Sequence, residues 1–117
     1  MSASGGRMRR VDEAMREVLS DAITQGLKDP RIGFVTVTSV DTSPDLRHAH
    51  VWVSVLGDAT QRKLTLAGLQ SAHGPLQRVV AQQLRLKHTP QLEFAYDDTA
   101  ERADRLERIL READDGR

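Results

Sequence analysis

Gly68-Leu69-Gln70-Ser71-Ala72-His73-Gly74-Pro75-Leu76-Gln77-Arg78 is the stretch on which the fold turns. Before it, Leu64, Leu66, Ala67 and Leu69 are spaced for a helix over Thr60 to Ala72. After it, Leu76, Val79, Val80 and Leu84 recur at i, i+3, i+4 and i+8, the stripe of a second helix. Gly74-Pro75 interrupts the two. Proline lacks an N–H and suits the first turn of a new helix. The glycine suggests a backbone with positive φ. Ser71, Ala72 and Gly74 are small enough for another backbone to come close. The second helix would offer its unpaired first-turn N–H groups to an anion there.

Upstream lie two strands. Gly33 to Val40 is β-branched and alternating, and Ala49 to Leu56 places Ala49, Val51, Val53 and Val55 on one face. His50, Trp52 and Ser54 take the other face. Asp41 to Asp45 is turn chemistry, so the two strands are expected to pair antiparallel. Earlier still, Val11, Ala14, Met15, Val18, Leu19, Ala22, Ile23 and Leu27 form a strong amphipathic stripe. Asp12 and Glu13 would sit early in that helix, where its dipole favours acids. Gly26 and Asp29-Pro30 end it. Downstream, Leu92, Phe94 and Tyr96 alternate as a third strand, and Asp98 with Glu101 reads as a capping box for a last helix through Leu110. The order α-β-β-α-α-β with a further C-terminal helix makes a two-layer α+β domain. Its expected limits are residues 8–112, between a flexible arm (1–7) and a disordered acidic tail (113–117). Phe34, Phe94 and Tyr96 are expected in the core, and Trp52 in packing at the sheet.

The 117 residues carry equal numbers of acids and bases and no cysteine. Cysteine chemistry is therefore excluded, from disulfides to thiol nucleophiles. No apolar run approaches the length of a membrane span, and the amino terminus lacks a signal-like apolar segment, so a cytoplasmic protein is expected. The zero net charge hides a segregation. Residues 59–92 hold Arg62, Lys63, Arg78, Arg85 and Lys87 with no acid, whereas residues 93–117 hold nine acids against five bases. Arg7, Arg9 and Arg10 add a second acid-free cluster. Electrostatics act over about 8–10 Å in physiological salt, so local patches matter more than the sum.

Catalytic patterns are weak. His48 and His50 could form a metal pair, but no further ligand stands at a telling spacing, and exposed strand histidines explain them better. Asp97-Asp98 lies at a strand-to-helix junction, where a cap is the ordinary reading. No serine has nucleophile-elbow context, and no glycine-rich phosphate loop occurs. No enzyme activity, metal or cofactor is expected.

A loop between two helices that clamps a single-stranded backbone is the device of the K homology (KH) fold, which uses G-x-x-G. Here Ser71 stands at the first glycine and Ala72-His73-Gly74 follows. In this the chain resembles the ribosome-binding factor A family, which has a type II KH fold with an Ala-x-Gly kink. The resemblance also covers Asp29-Pro30-Arg31-Ile32-Gly33-Phe34-Val35-Thr36-Val37-Thr38, Ser43-Pro44-Asp45-Leu46, Ala49-His50-Val51-Trp52-Val53-Ser54 and Leu84-Arg85-Leu86-Lys87-His88-Thr89-Pro90 through Asp97. It runs from about Arg7 to Ile109. Pro75, Gln77 and Gln91 depart from the family's usual residues, and the tail is shorter.

The resemblance implies a non-enzymatic, monomeric factor that binds the immature small ribosomal subunit and its ribosomal RNA. The free subunit would be its target rather than the whole ribosome, and late maturation of that RNA its task. Candidate RNA-binding residues are Arg7, Arg9, Arg10, Arg31, Ala72, His73, Gly74, Arg78, Arg85 and Lys87. For Arg31 the competing reading is a salt bridge with a helix-1 acid. The alternative function is a protein-interaction domain that uses the acidic C-terminal helix.

Overall fold

The computed structural model describes the backbone of residues 3–98 and the side chains of residues 8–98. Helix α1 spans Ala3–Gly26, strand β1 Val35–Thr42, β2 His48–Val55, helix α2 Ala59–Ser71, α3 His73–Leu84 and strand β3 Gln91–Tyr96. The last helix and the tail expected after Asp98 lie outside the described residues. The sheet order is β1-β2-β3, with β1 and β2 antiparallel and β2 and β3 parallel. The parallel pair follows from the connection: α2 and α3 carry the chain back to the starting end of the sheet.

Helix α1 starts at Ala3, so residues 3–7, expected in the arm, are helical. Ser4, Gly5 and Gly6 are poor helix formers. Extending an existing helix costs no new nucleus, however, and the strong stripe from Val11 onward supplies that nucleus. Asp12 and Glu13 consequently lie in the third turn, away from the dipole end. Asp12 has another task. Its Oδ1 accepts the Thr42 backbone N–H at 2.9 Å, which holds the end of β1 against α1 and carries the strand two residues beyond Val40.

The core joins Met15, Leu19 and Ile23 of α1 to one sheet face, with Leu69, Leu76 and Val80 from the helix pair. The sheet contributes Val37, Val40, Ala49, Val51, Val53, Val55 and Leu92. Each large aliphatic side chain among these contributes roughly 1.5–3 kcal/mol over exposure. A bulge between Val37 and Ser39 explains how Val37 and Val40 both point inward. Strict alternation would bury Ser39; one extra residue, Thr38, resets the phase. Phe34 is not in the core. It precedes inward-facing Val35, so alternation turns it outward, and it is 82% exposed. Phe94 and Tyr96 are partly buried and pack on the core's rim.

Candidate nucleic-acid interface

Ala72 alone separates the two helices. It ends α2 and begins α3 with φ −89° and ψ 8°, and its N–H donates to Gly68 O at 3.1 Å and Leu69 O at 3.0 Å. The joint is therefore one residue, and α3 starts at His73 rather than at Pro75. Gly74 is an ordinary helical residue. The expected positive φ is absent there and occurs among the described glycines only at Gly57, φ 132°. A Cβ added at Gly74 would meet nothing within 4 Å.

Close approach instead occurs at Gly68, one turn before the joint, where an added Cβ would lie 2.7 Å from Ile32 Cγ1. The Asp29–Gly33 loop docks here. Thr65, fully buried on α2, lies 3.4 Å from both Gly33 N and Arg31 O. The loop's packing thus fixes where α2 sits relative to the end of α1.

His73 Nδ1 lies 2.7 Å from the Gln70 carbonyl, so that nitrogen carries the proton and donates. Nε2 is left as the ring's other polar atom, on an exposed side chain. Pro75 brings no N–H, so the first-turn donors of α3 are those of His73 and Gly74. Arg78 stands four residues after Gly74 and shares its helix face. Arg85 is not within the helix stripe. It is the cap of α3, in the left-handed conformation at φ 49° and ψ 43°, with its N–H on Ala81 O. Lys87 lies in the loop that follows. Arg78, Arg85 and Lys87 are all exposed.

Ion pairing divides the molecule. Arg16, Arg31 and Arg47 pair with Glu13, Asp29 and Asp45 respectively. Among the described residues none of Arg62, Lys63, Arg78, Arg85 and Lys87 has an acidic partner. This acid-free segment builds α2, the joint, α3 and the loop beyond. Arg31 differs: its guanidinium holds both Asp29 carboxylate oxygens, and these bonds keep the Asp29 carboxyl at about 2. Its partner is thus an acid just beyond helix 1, and its charge is already met. Arg9 and Arg10 are exposed on α1, while the Arg7 side chain lies outside the described residues. Val18 to Gly26 of α1 and Pro75 to Gln83 of α3 line a shared groove. Arg10 stands roughly 12 Å along the helix axis from Val18, the α1 residue of that groove nearest to it in sequence.

The outer sheet face is different in character. Glu93 faces His50 Nε2 at 3.0 Å and His48 Nδ1 at 3.8 Å. Trp52 stacks on His50, with ring centroids 6.1 Å apart, and donates its indole N–H to Asp41 Oδ2 at 3.0 Å. Acids line this face, so it is a poor surface for phosphates.

Three residues went unrecognised in the sequence. Gln70 spans the free edge of β3, donating to Leu92 O at 3.4 Å and accepting from Phe94 N at 3.3 Å. Gln77 Oε1 accepts from Leu92 N at 3.4 Å. Side-chain amides thereby occupy an edge that could otherwise pair with another strand. Arg62 stacks over Tyr96, 4.5 Å from the ring centroid. The signal for two of them was the i, i+4, i+8 series Arg62, Leu66, Gln70, one side of α2 running along β3.

The ribosome-binding factor A family model matches residues 7–110. A ribosome-binding factor A from an Anaeromyxobacter species (strain K) is 56% identical over 108 residues, covering 92% of this chain and 78% of that protein. The crystal structure of ribosome-binding factor A from Thermus thermophilus superposes with a TM-score of 0.68 at 27% identity, covering 76% of this chain and 94% of that one. A homology model of the Thermus thermophilus factor, fitted into a cryo-electron microscopy map of its complex with the 30S subunit, matches with a TM-score of 0.61 at 28% identity, covering 72% and 88%. With its α+β KH-like fold, its one-residue joint and these matches along nearly its whole length, the chain belongs to the ribosome-binding factor A family.

Proposed function

We propose that this chain binds the small ribosomal subunit through ribosomal RNA, using the surface formed by α2, the Ala72 joint, α3 and the loop to β3. One observation carries the reading: among the described residues, all five Lys and Arg side chains of positions 59–92 are unpaired by acids, while the outer sheet face holds acids. Phosphate neutralisation is the largest generic source of RNA affinity, and cations without an acidic partner are the groups able to supply it. The joint adds the His73 and Gly74 N–H groups at a helix start, a geometry suited to a phosphate. The Thermus thermophilus relative, whose model was fitted to a 30S complex, supports the same partner.

The action is stoichiometric rather than catalytic. The domain binds one RNA conformation of the immature, free subunit preferentially and raises its population by that difference in affinity. It leaves when the mature site no longer fits; in this reading it is a cytoplasmic, monomeric factor of late RNA maturation. Arg78→Glu, Arg85→Glu and Lys87→Glu combined should reduce co-sedimentation with precursor subunits. They should also flatten the salt dependence of RNA affinity by about 0.7–0.9 in slope for each phosphate no longer neutralised. An unchanged slope in the folded triple variant would move the RNA surface elsewhere.

A further inference from the structure

We propose that Arg62, stacked on Tyr96 at the α2–β3 border, is a preformed phosphate anchor for RNA at the end of α2 remote from the joint. The inference rests on the RNA-binding reading and deepens it. Arg62 Nε is shielded from solvent and has no hydrogen-bond partner. The guanidinium lies over the Tyr96 ring at 4.5 Å. No carboxylate answers its charge among the described residues. A half-buried cation without a counter-ion is unfavourable in the free protein, and an aromatic face compensates only in part. Burying the Nε side leaves the two terminal Nη groups as the open end of the fork. Such a fork matches two oxygens of a phosphate.

The ring holds the side chain in place before binding, so little rotamer freedom is lost when the anion arrives. Tyr96 is thus a positioning residue and Arg62 the contact. Ten residues separate Arg62 from Ala72, about 15 Å along the helix axis. The two sites would therefore grip phosphates several nucleotides apart. Lys63, exposed beside Arg62, widens the same positive end.

The test compares Arg62→Ala, Arg62→Lys, Tyr96→Leu and the Arg78/Arg85/Lys87 triple variant. The probe is a fluorescent transcript of small-subunit ribosomal RNA, titrated at two salt concentrations, with circular dichroism as the folding control. Arg62→Ala should weaken binding about tenfold. It should also lower the magnitude of the salt slope by about 0.7–0.9. Tyr96→Leu should weaken binding several-fold with the slope retained, because the charge remains, and Arg62→Lys should behave likewise. If the triple variant loses affinity and folded Arg62→Ala does not, the anchor is refuted and the RNA-binding reading stands. If wild type fails to bind the transcript, both fall. A loss in Arg62→Ala with an unchanged slope would make Arg62 a packing residue only, and overturn the proposal.

Discussion

Replacing Gly68 by alanine adds a Cβ 2.7 Å from Ile32 Cγ1, 3.3 Å from Ile32 Cδ1 and 3.4 Å from Asp29 Oδ2. The first distance is well inside van der Waals contact, and Cγ1 is the branch of a stiff side chain rather than a flexible end. Overpacking of this kind costs about 1–3 kcal/mol. Alanine returns up to about 1 kcal/mol through helix propensity. The net expectation is a loss of about 1 kcal/mol, or a fall in Tm of about 4 °C for a chain of this size. Thermal unfolding followed by circular dichroism measures it. Ile32→Ala should relieve the clash, so the double variant should lose less than the two single losses added. RNA affinity should fall with Gly68→Ala, because displacing Ile32 moves the Asp29–Gly33 loop that seats α2. A higher Tm for Gly68→Ala would refute the argument, since propensity alone would then govern the site.

At Gly74 the same change should leave Tm unchanged or raise it by a few degrees, because an added Cβ there meets nothing. Asp12→Asn keeps an acceptor for the Thr42 N–H without a partly buried charge. Burial raises the Asp12 pKa, so the ionised form is the disfavoured one in the fold. Its stability gain over wild type should be present at neutral pH and shrink as pH falls through that raised value. Asp12→Ala removes the same carboxylate but orphans the N–H, so it should cost about 1 kcal/mol at low pH, where wild-type Asp12 is protonated, and less at neutral pH. Asp29 has the opposite sign. Its carboxyl is held at about 2 by Arg31, so its contribution is present above the unfolded value near 4 and is lost as pH falls toward 2. In acid titrations of stability, Asp29→Asn should lack that step. Gln70→Ala should free Leu92 O and Phe94 N at the edge of β3, detectable as faster amide exchange at Phe94.

The sequence by itself determined the element order, the inward Ala49, Val51, Val53 and Val55 stripe, and the place where two helices meet. Each follows from periodicity or from a breaker, and both are local in the chain. The acid-free segment from 59 to 92 was equally legible, and with it the candidate cations Arg78, Arg85 and Lys87. Tertiary structure decided the rest. Sequence could not tell which glycine was under constraint, because the neighbour that matters at Gly68 is Ile32, 36 positions away. Gly74, beside the proline, looked the more constrained and proved free. Phe34 read as core on hydrophobicity, yet strand phase relative to Val35 turned it outward. Arg31 and Arg62 are the same residue type in similarly polar stretches. One is neutralised by Asp29; the other is seated on Tyr96 without an acid among the described residues. The first pairing is local, two positions along the chain; the second exists only when α2 is laid along β3, because it joins residues 34 positions apart.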